Sequence, residues 1–186
     1  TAGTSLGLLH LHAATEEKWI LDKMNVFVGH LIENAHHGPV GLYWDRSHNN
    51  IRGLCGFSHG AAGIGFVFLE LGHYFQNDAF YWIAEQAFAY ENHWYDEKTG
   101  NWPDFRKGIW QAGDNEQFQK AYLENDINFF TQTGDMNAWC HGAAGIGLAR
   151  LRGNQLLQKY TGDIEKAVQK TTATHVNIEN QHFTYT

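Results

Sequence analysis

Apolar positions along this chain alternate between two textures. Three stretches read as apolar helices: Leu6 to Leu11, Ile64 to Leu71 and Ile146 to Leu157. Each is followed by an amphipathic stretch. Trp19, Ile20, Met24, Phe27, Val28, Leu31 and Ile32 fall on one helical face with charges opposite. Phe80, Ile83, Ala84, Ala87 and Phe88, with Trp94, do the same, and Asp163 to Thr174 gives a weaker third example. A helix apolar on most sides is buried, whereas an amphipathic partner keeps one face in water. The alternation therefore predicts an all-α fold of paired inner and outer helices, an α/α toroid. Two segments interrupt it. Residues 34–57 read as a loop-rich link holding His36-His37-Gly38-Pro39 and Tyr43-Trp44-Asp45. Residues 96–139 are longer, and Glu116 to Phe130 is predicted helical because structureless loops of that length are uncommon in a compact domain. There is no low-complexity linker and no domain boundary, so residues 1–186 read as one domain.

The turns that open these helices repeat. His59-Gly60-Ala61-Ala62-Gly63-Ile64-Gly65 recurs letter for letter, 82 residues on, as His141-Gly142-Ala143-Ala144-Gly145-Ile146-Gly147. A fainter copy opens the chain: Ala2-Gly3 followed by Ser5 to Leu9 parallels Ala62-Gly63 followed by Gly65 to Leu69, an offset of 60. Glycine at a helix entrance permits positive φ and close approach of neighbouring backbone. The first-turn N–H groups have no intrahelical partner and point at whatever lies above them. With all the glycine turns at one end of the toroid, His59 and His141 converge on one mouth.

Composition narrows the function. The formal net charge is -7 and no Lys/Arg cluster appears, which argues against nucleic acid, whose phosphates demand a basic footprint. The apolar stretches are too short and interrupted to span a bilayer. Two cysteines, Cys55 and Cys140, do not make a disulfide scaffold, and a reducing cytoplasm is the expected compartment. Aromatics reach 15% of residues, enough to fill a wide core or line a concave site.

Cys140-His141 is the most suggestive pair, because thiolate and imidazole are zinc's preferred ligands. The competing reading is a structural Cys packed at a helix entrance. A joint Cys55, His59, Cys140, His141 metal site is conceivable, but Gly56 and Gly60 disfavour a regular helix there, and Cys55 reads better as a core thiol. His59 is a candidate general acid/base, since imidazole titrates near neutrality; the competing role is capping its turn. His10, His12, His30, His73 and His93 fall in helical stretches as surface or core-edge residues, and His36, His37 and His48 in loops. Asp45, Asp104 and Arg106 are either mouth residues or solvated loop charges.

Gly56 to Ile64 and Trp139 to Arg150 together resemble the lanthionine synthetase C-like family, and Asn101-Trp102-Pro103-Asp104 with Trp139-Cys140-His141-Gly142 looks most like the cyclase domain of the bifunctional class II synthetases. The resemblance implies an α/α toroid with a zinc near its mouth. It implies a peptide cyclase that adds Cys thiols of a dehydrated precursor peptide to dehydroalanine or dehydrobutyrine, forming thioether rings. By the same resemblance Cys140 is a zinc ligand and His59 matches the proton-transfer histidine. His141 stands where other members carry Tyr, and is assigned an acid/base or supporting role. The family's other two zinc ligands form a downstream Cys-His-Gly that does not follow here, and Met136 stands where some members have Arg. The chain is accordingly expected to be an incomplete portion of the toroid, truncated at both ends, opening inside a motif at Thr1-Ala2-Gly3 and stopping at His182 to Thr186, with an incomplete zinc site and little activity by itself. Two alternatives stand beside the cyclase: a non-catalytic toroid that binds a peptide or a thiol such as glutathione, and an α/α-toroid glycoside hydrolase. The last needs two carboxylates flanking a bond, and none flank the glycine turns.

Overall fold

A computed structural model describes residues 1–45, 52–106, 115–130 and 132–175. Among these residues the chain forms eight helices and one small hairpin: α1 (Ala2–Thr15), α2 (Lys18–Glu33), β1 (His36–His37), β2 (Leu42–Tyr43), α3 (Ala61–Phe75), α4 (Asp78–His93), α5 (Asn115–Leu123), α6 (Ile127–Phe130), α7 (Ala143–Leu157) and α8 (Thr161–His175). None of the described helices is long and apolar enough to cross a membrane.

The fold is all-α, and its helices pair as an arc of an α/α toroid. Helices α1, α3 and α7 each pack on the helix that follows them, α2, α4 and α8, and they also pack on one another in the order α1, α3, α7. The first three therefore form the inner layer. Composition explains this for α3, whose Ala62, Phe68, Leu69 and Leu71 are fully buried. The hairpins turn at matching places. Each inner helix stops at a left-handed residue, Glu16, Gln76 or Gln158, whose N–H bonds back to His12, Gly72 or Asn154. These stops keep the repeat spacings of 60 and 82, so the faint opening copy is a true structural repeat.

Three details depart from the sequence expectation. On α2 the buried line is Ile20, Met24, Val28 and Leu31, while Trp19 and Ile32 lie at the edges of that stripe and are 55% and 46% exposed. The link after α2 contains an antiparallel hairpin pairing His36 with Tyr43, too short for any alternation to announce it. It is pinned by the Trp44 indole N–H donating to the Leu31 carbonyl at 2.7 Å and by Tyr43 stacking on Tyr90. Glu116 to Phe130 is two helices, broken where Asn125 takes φ 51. His48 and His182 to Thr186 lie outside the described residues.

Candidate functional site

Both glycine turns fold the preceding loop back over the helix entrance. A Cβ on Gly63 would lie 1.9 Å from the Phe57 carbonyl oxygen, and one on Gly145 would lie 1.8 Å from that of Trp139. Only glycine admits so close a carbonyl. The first-turn N–H groups are then taken up internally. Ala61 donates to the Leu54 carbonyl at 3.0 Å and Ala62 to Glu91 Oε1 at 2.8 Å. In the second copy Ala143 donates to Asn101 Oδ1 at 2.9 Å and Ala144 to Asn137 Oδ1 at 3.0 Å. These donors point at protein acceptors, not at an open site, which corrects the expectation from the repeat alone.

The two turns meet. The His59 and His141 rings lie 5.9 Å apart at a tilt of 36°, and Ser58 N–H donates to the Cys140 carbonyl at 3.2 Å. His59 is exposed, Cys140 is half-buried and His141 is buried. His141 Nδ1 approaches the Cys55 carbonyl at 3.3 Å, while its Nε2 is buried with no hydrogen-bond partner among the described residues. Burial pushes the His141 pKa below its ordinary value, and the positive charges of Arg106 and His59 push the same way, against Asp104 and the Cys55 carbonyl. His141 is thus biased towards neutral imidazole.

Asp104 and Arg106 form a bidentate pair beside this histidine. Arg106 Nε donates to Asp104 Oδ1 at 2.9 Å and Nη2 to Oδ2 at 2.6 Å. Burial works to raise the Asp104 carboxyl, but the bonds and charge of Arg106 hold it below the usual carboxylate range. Arg106 Nη2 also lies 2.8 Å from Met136 Sδ, so the guanidinium here comes from the segment after Asn101-Trp102-Pro103. Cys55 is buried, its thiol pushed well up by burial, as a core thiol should be; its carbonyl is what faces His141. The Cys55, His59, Cys140, His141 set is not assembled: among the described residues no group of three or more His, Cys, Asp or Glu is placed to hold a metal ion.

A cleft of about 700 Å³ opens beside the first turn. His59 and Trp139 lie on it, with Phe57 and Phe66 in edge-to-face contact at 5.3 Å. Asp45 also lines it, as do Ala2 and Gly3, so the first two copies of the repeat reach this cleft; Cys140 and His141 do not line it, and the third copy is represented only by the preceding Trp139. Trp139, the residue before Cys140, is 62% exposed there.

Sequence reading passed over Glu91 and assigned no task to Arg150. Both are fully buried, and Arg150 Nη2 donates to Glu91 Oε2 at 3.0 Å. The available signal was a Glu at helical spacing from Ala84, Ala87 and Phe88, on the face predicted to be apolar.

Paired inner and outer helices, entered by glycine turns that bring His59 against the Cys140-His141 turn, define an α/α-toroid protein with its candidate site at the helix entrances. The family model for lanthionine synthetase C-like proteins matches residues 1–183, and the chain belongs to that family. No curated protein and no solved structure matches it.

Proposed function

We propose that the protein is a peptide cyclase, most like the cyclase domain of class II lanthionine synthetases, acting in the cytoplasm on a dehydrated precursor peptide. One observation carries this reading: an exposed His59, on a cleft of about 700 Å³, stands 5.9 Å ring to ring from the histidine that follows Cys140. The reaction adds a Cys thiolate to the β-carbon of a dehydroalanine or dehydrobutyrine. The C–S bond forms as the alkene π pair moves onto the α-carbon and its carbonyl, and the resulting enolate takes a proton at the α-carbon. This reading assigns that proton to His59, supported by its exposure and its position on the cleft where the peptide would lie. His141, buried and biased neutral, acts as a fixed neighbour that sets the His59 environment. Zinc belongs to this reading as the group that would lower the pKa of a bound substrate thiol, with Cys140 as one ligand. The described residues do not supply the remaining ligands.

The test uses the intact protein and a synthetic peptide bearing one dehydroalanine and one cysteine, with thioether formation followed by mass spectrometry and thiol alkylation. Removing a general acid slows such chemistry by about 10²–10⁴-fold, the loss expected for His59→Asn. Cys140→Ala should lose bound zinc and thioether formation together; a Cys140→Ala protein with both intact refutes the assignment. The second reading, a non-catalytic toroid that binds a peptide or a thiol such as glutathione, is favoured by Met136 standing where some members carry Arg and by the incomplete ligand set among the described residues. Saturable peptide or glutathione binding with no ring formation by the wild type would select it.

A further inference from the structure

We propose that Glu91 and Arg150 are positioning residues that fix the His59 turn against the Cys140-His141 turn, with Gly56 as the contact point between them. The inference rests on the cyclase reading for its kinetic consequence, although the geometry stands apart from it.

Glu91 lies on the buried face of α4 and holds the His59 turn at both ends. Its Oε1 accepts the N–H of Gly56 at 2.8 Å and that of Ala62 at 2.8 Å, on either side of the segment that carries His59. Its Oε2 accepts from Arg150, which belongs to α7, the helix opened by the Cys140-His141 turn. Arg150 is in turn fixed by Asp163 at 3.1 Å, by the Phe88 carbonyl at 3.3 Å and by stacking 3.9 Å over the Phe88 ring. Hydrogen bonds therefore join α7, the helix that the second turn opens, through Arg150 and Glu91 to the first turn.

The turns also touch directly above this chain. Gly56 has φ 119, and a Cβ there would lie 2.7 Å from the Cys140 carbonyl oxygen and 3.0 Å from His141 Cα. Nothing larger than hydrogen fits between the two copies at that point.

Burying a full ion pair is an expensive way to fill a core, and apolar residues of similar volume often do so at least as well. A carboxylate offers something they cannot: about four lone-pair sites on one rigid group, enough to serve three donors from three segments. The pair therefore acts on direction as well as on packing, and what it directs is His59.

The experiment compares the intact wild type with Glu91→Gln and Gly56→Ala. Glu91→Gln keeps the volume and one acceptor for the two N–H groups, but turns an amide N–H₂ towards Arg150. Gly56→Ala wedges the turns apart and strains a residue at φ 119 while leaving both side chains of the ion pair unchanged, although its own N–H is one that Glu91 accepts. With the dehydroalanine–cysteine peptide as probe, displacing the acid by about 1 Å should lower kcat on the order of 10²-fold in both variants. KM should stay within about twofold and zinc content should not change, a split that loss of stability alone does not produce. In the metal-free Glu91→Gln protein, NMR hydrogen exchange should show the Gly56 and Ala62 amides losing protection. Wild-type kcat in either folded variant, or full amide protection in Glu91→Gln, overturns the inference. If Glu91→Gln does not fold, Gly56→Ala carries the same kinetic expectation. If the wild type forms no thioether, the cyclase reading falls, and amide exchange alone decides the positioning role.

Discussion

Replacing Arg150 by Met tests the energetics of the buried chain that supports the site. Methionine keeps most of the length and apolar stem but removes the guanidinium. Four acceptors then lose a partner, and they are not equivalent: the Phe88 carbonyl still has its place in the hydrogen-bond ladder of α4. Asp163 is 17% exposed and can turn to water, as can Asn92, whereas Glu91 is fully enclosed and keeps only the Gly56 and Ala62 N–H groups. Stranding one member of a buried pair costs about 3–5 kcal/mol, and the two retained hydrogen bonds place this case near ~3 kcal/mol. A chain of this size loses roughly 2–4 °C of Tm per kcal/mol, so Tm should fall by about 10 °C. The loss should depend on pH in a defined direction. Burial raises the Glu91 pKa above its ordinary value while Arg150 and the two N–H groups pull it back. Without Arg150 the folded-state value rises further. Between the unfolded and folded pKa values the native state then binds more protons than the unfolded one, so stability falls as pH rises through that window and stays low above it. The difference between Arg150→Met and wild type should be largest near neutral pH and shrink towards pH ~4, where an unfolded carboxyl titrates. Urea unfolding followed by circular dichroism at several pH values measures it. A deficit under ~1 kcal/mol at neutral pH, or one that grows in acid, refutes the reasoning.

Two further predictions concern the glycines of the helix entrances and of α1, and the Asp135 carboxylate that accepts from Asn101 and Lys170. Gly145→Ala, whose Cβ would sit 1.8 Å from the Trp139 carbonyl oxygen, should cost above ~3 kcal/mol, whereas Gly7→Ala, in the interior of α1 with nothing within 4 Å, should stabilise by ~0.5–1 kcal/mol; paired thermal melts compare them. Burial works to raise the Asp135 carboxyl, but its bonds to Asn101 and Lys170 hold it below the ordinary range. Its contribution is therefore present above the unfolded carboxylate pKa and lost as pH falls through the depressed folded value. With the carboxylate 42% exposed, Asp135→Asn should cost less than ~1 kcal/mol at neutral pH and nothing in strong acid, read as the difference between two unfolding profiles.

What the sequence made legible follows from what its patterns measure. Apolar runs behind the glycine turns located the three inner helices, although α7 also carries Arg150, Arg152 and Asn154. Apart from the last residue of α7, Leu157, they missed the helix ends, since α3 runs from Ala61 to Phe75 and its flanks are glycine, alanine and polar residues with no periodic signal. The letter-for-letter repeat made the meeting of His59 and His141 readable, because like positions of neighbouring repeats lie side by side. It did not reveal the acceptors. Glu91 serves Gly56 from 35 positions away and Asn101 serves Ala143 from 42 positions away, and no local pattern encodes such pairings. The bidentate grip of Arg106 on Asp104 was equally invisible, since two loop charges of opposite sign are ordinarily solvated.

The two copies of the repeat are neighbours in space in a particular way: equivalent residues touch. Ser58 occupies the place of Cys140, and its N–H donates to the Cys140 carbonyl. His59 faces His141 ring to ring. Further down the inner layer Glu70, 82 residues before Arg152, accepts that arginine's Nε at 2.5 Å. Adjacent staves of a ring built from one repeated unit must bring like positions side by side. With identical residues such positions meet as like against like, which is useless for an ion pair and poor for divided chemistry. Once the copies diverge at a single position, the same geometry yields an unlike pair: Ser beside Cys, Glu beside Arg. The unequal supports extend this divergence, a carboxylate under the first turn and two amides under the second, so that Gly60 enters its helix at φ -116 and Gly142 at φ 87. The invariant Gly63 and Gly145 thus admit the same close carbonyl in both copies, while the residues that differ around them set how each turn enters its helix and carry the chemistry.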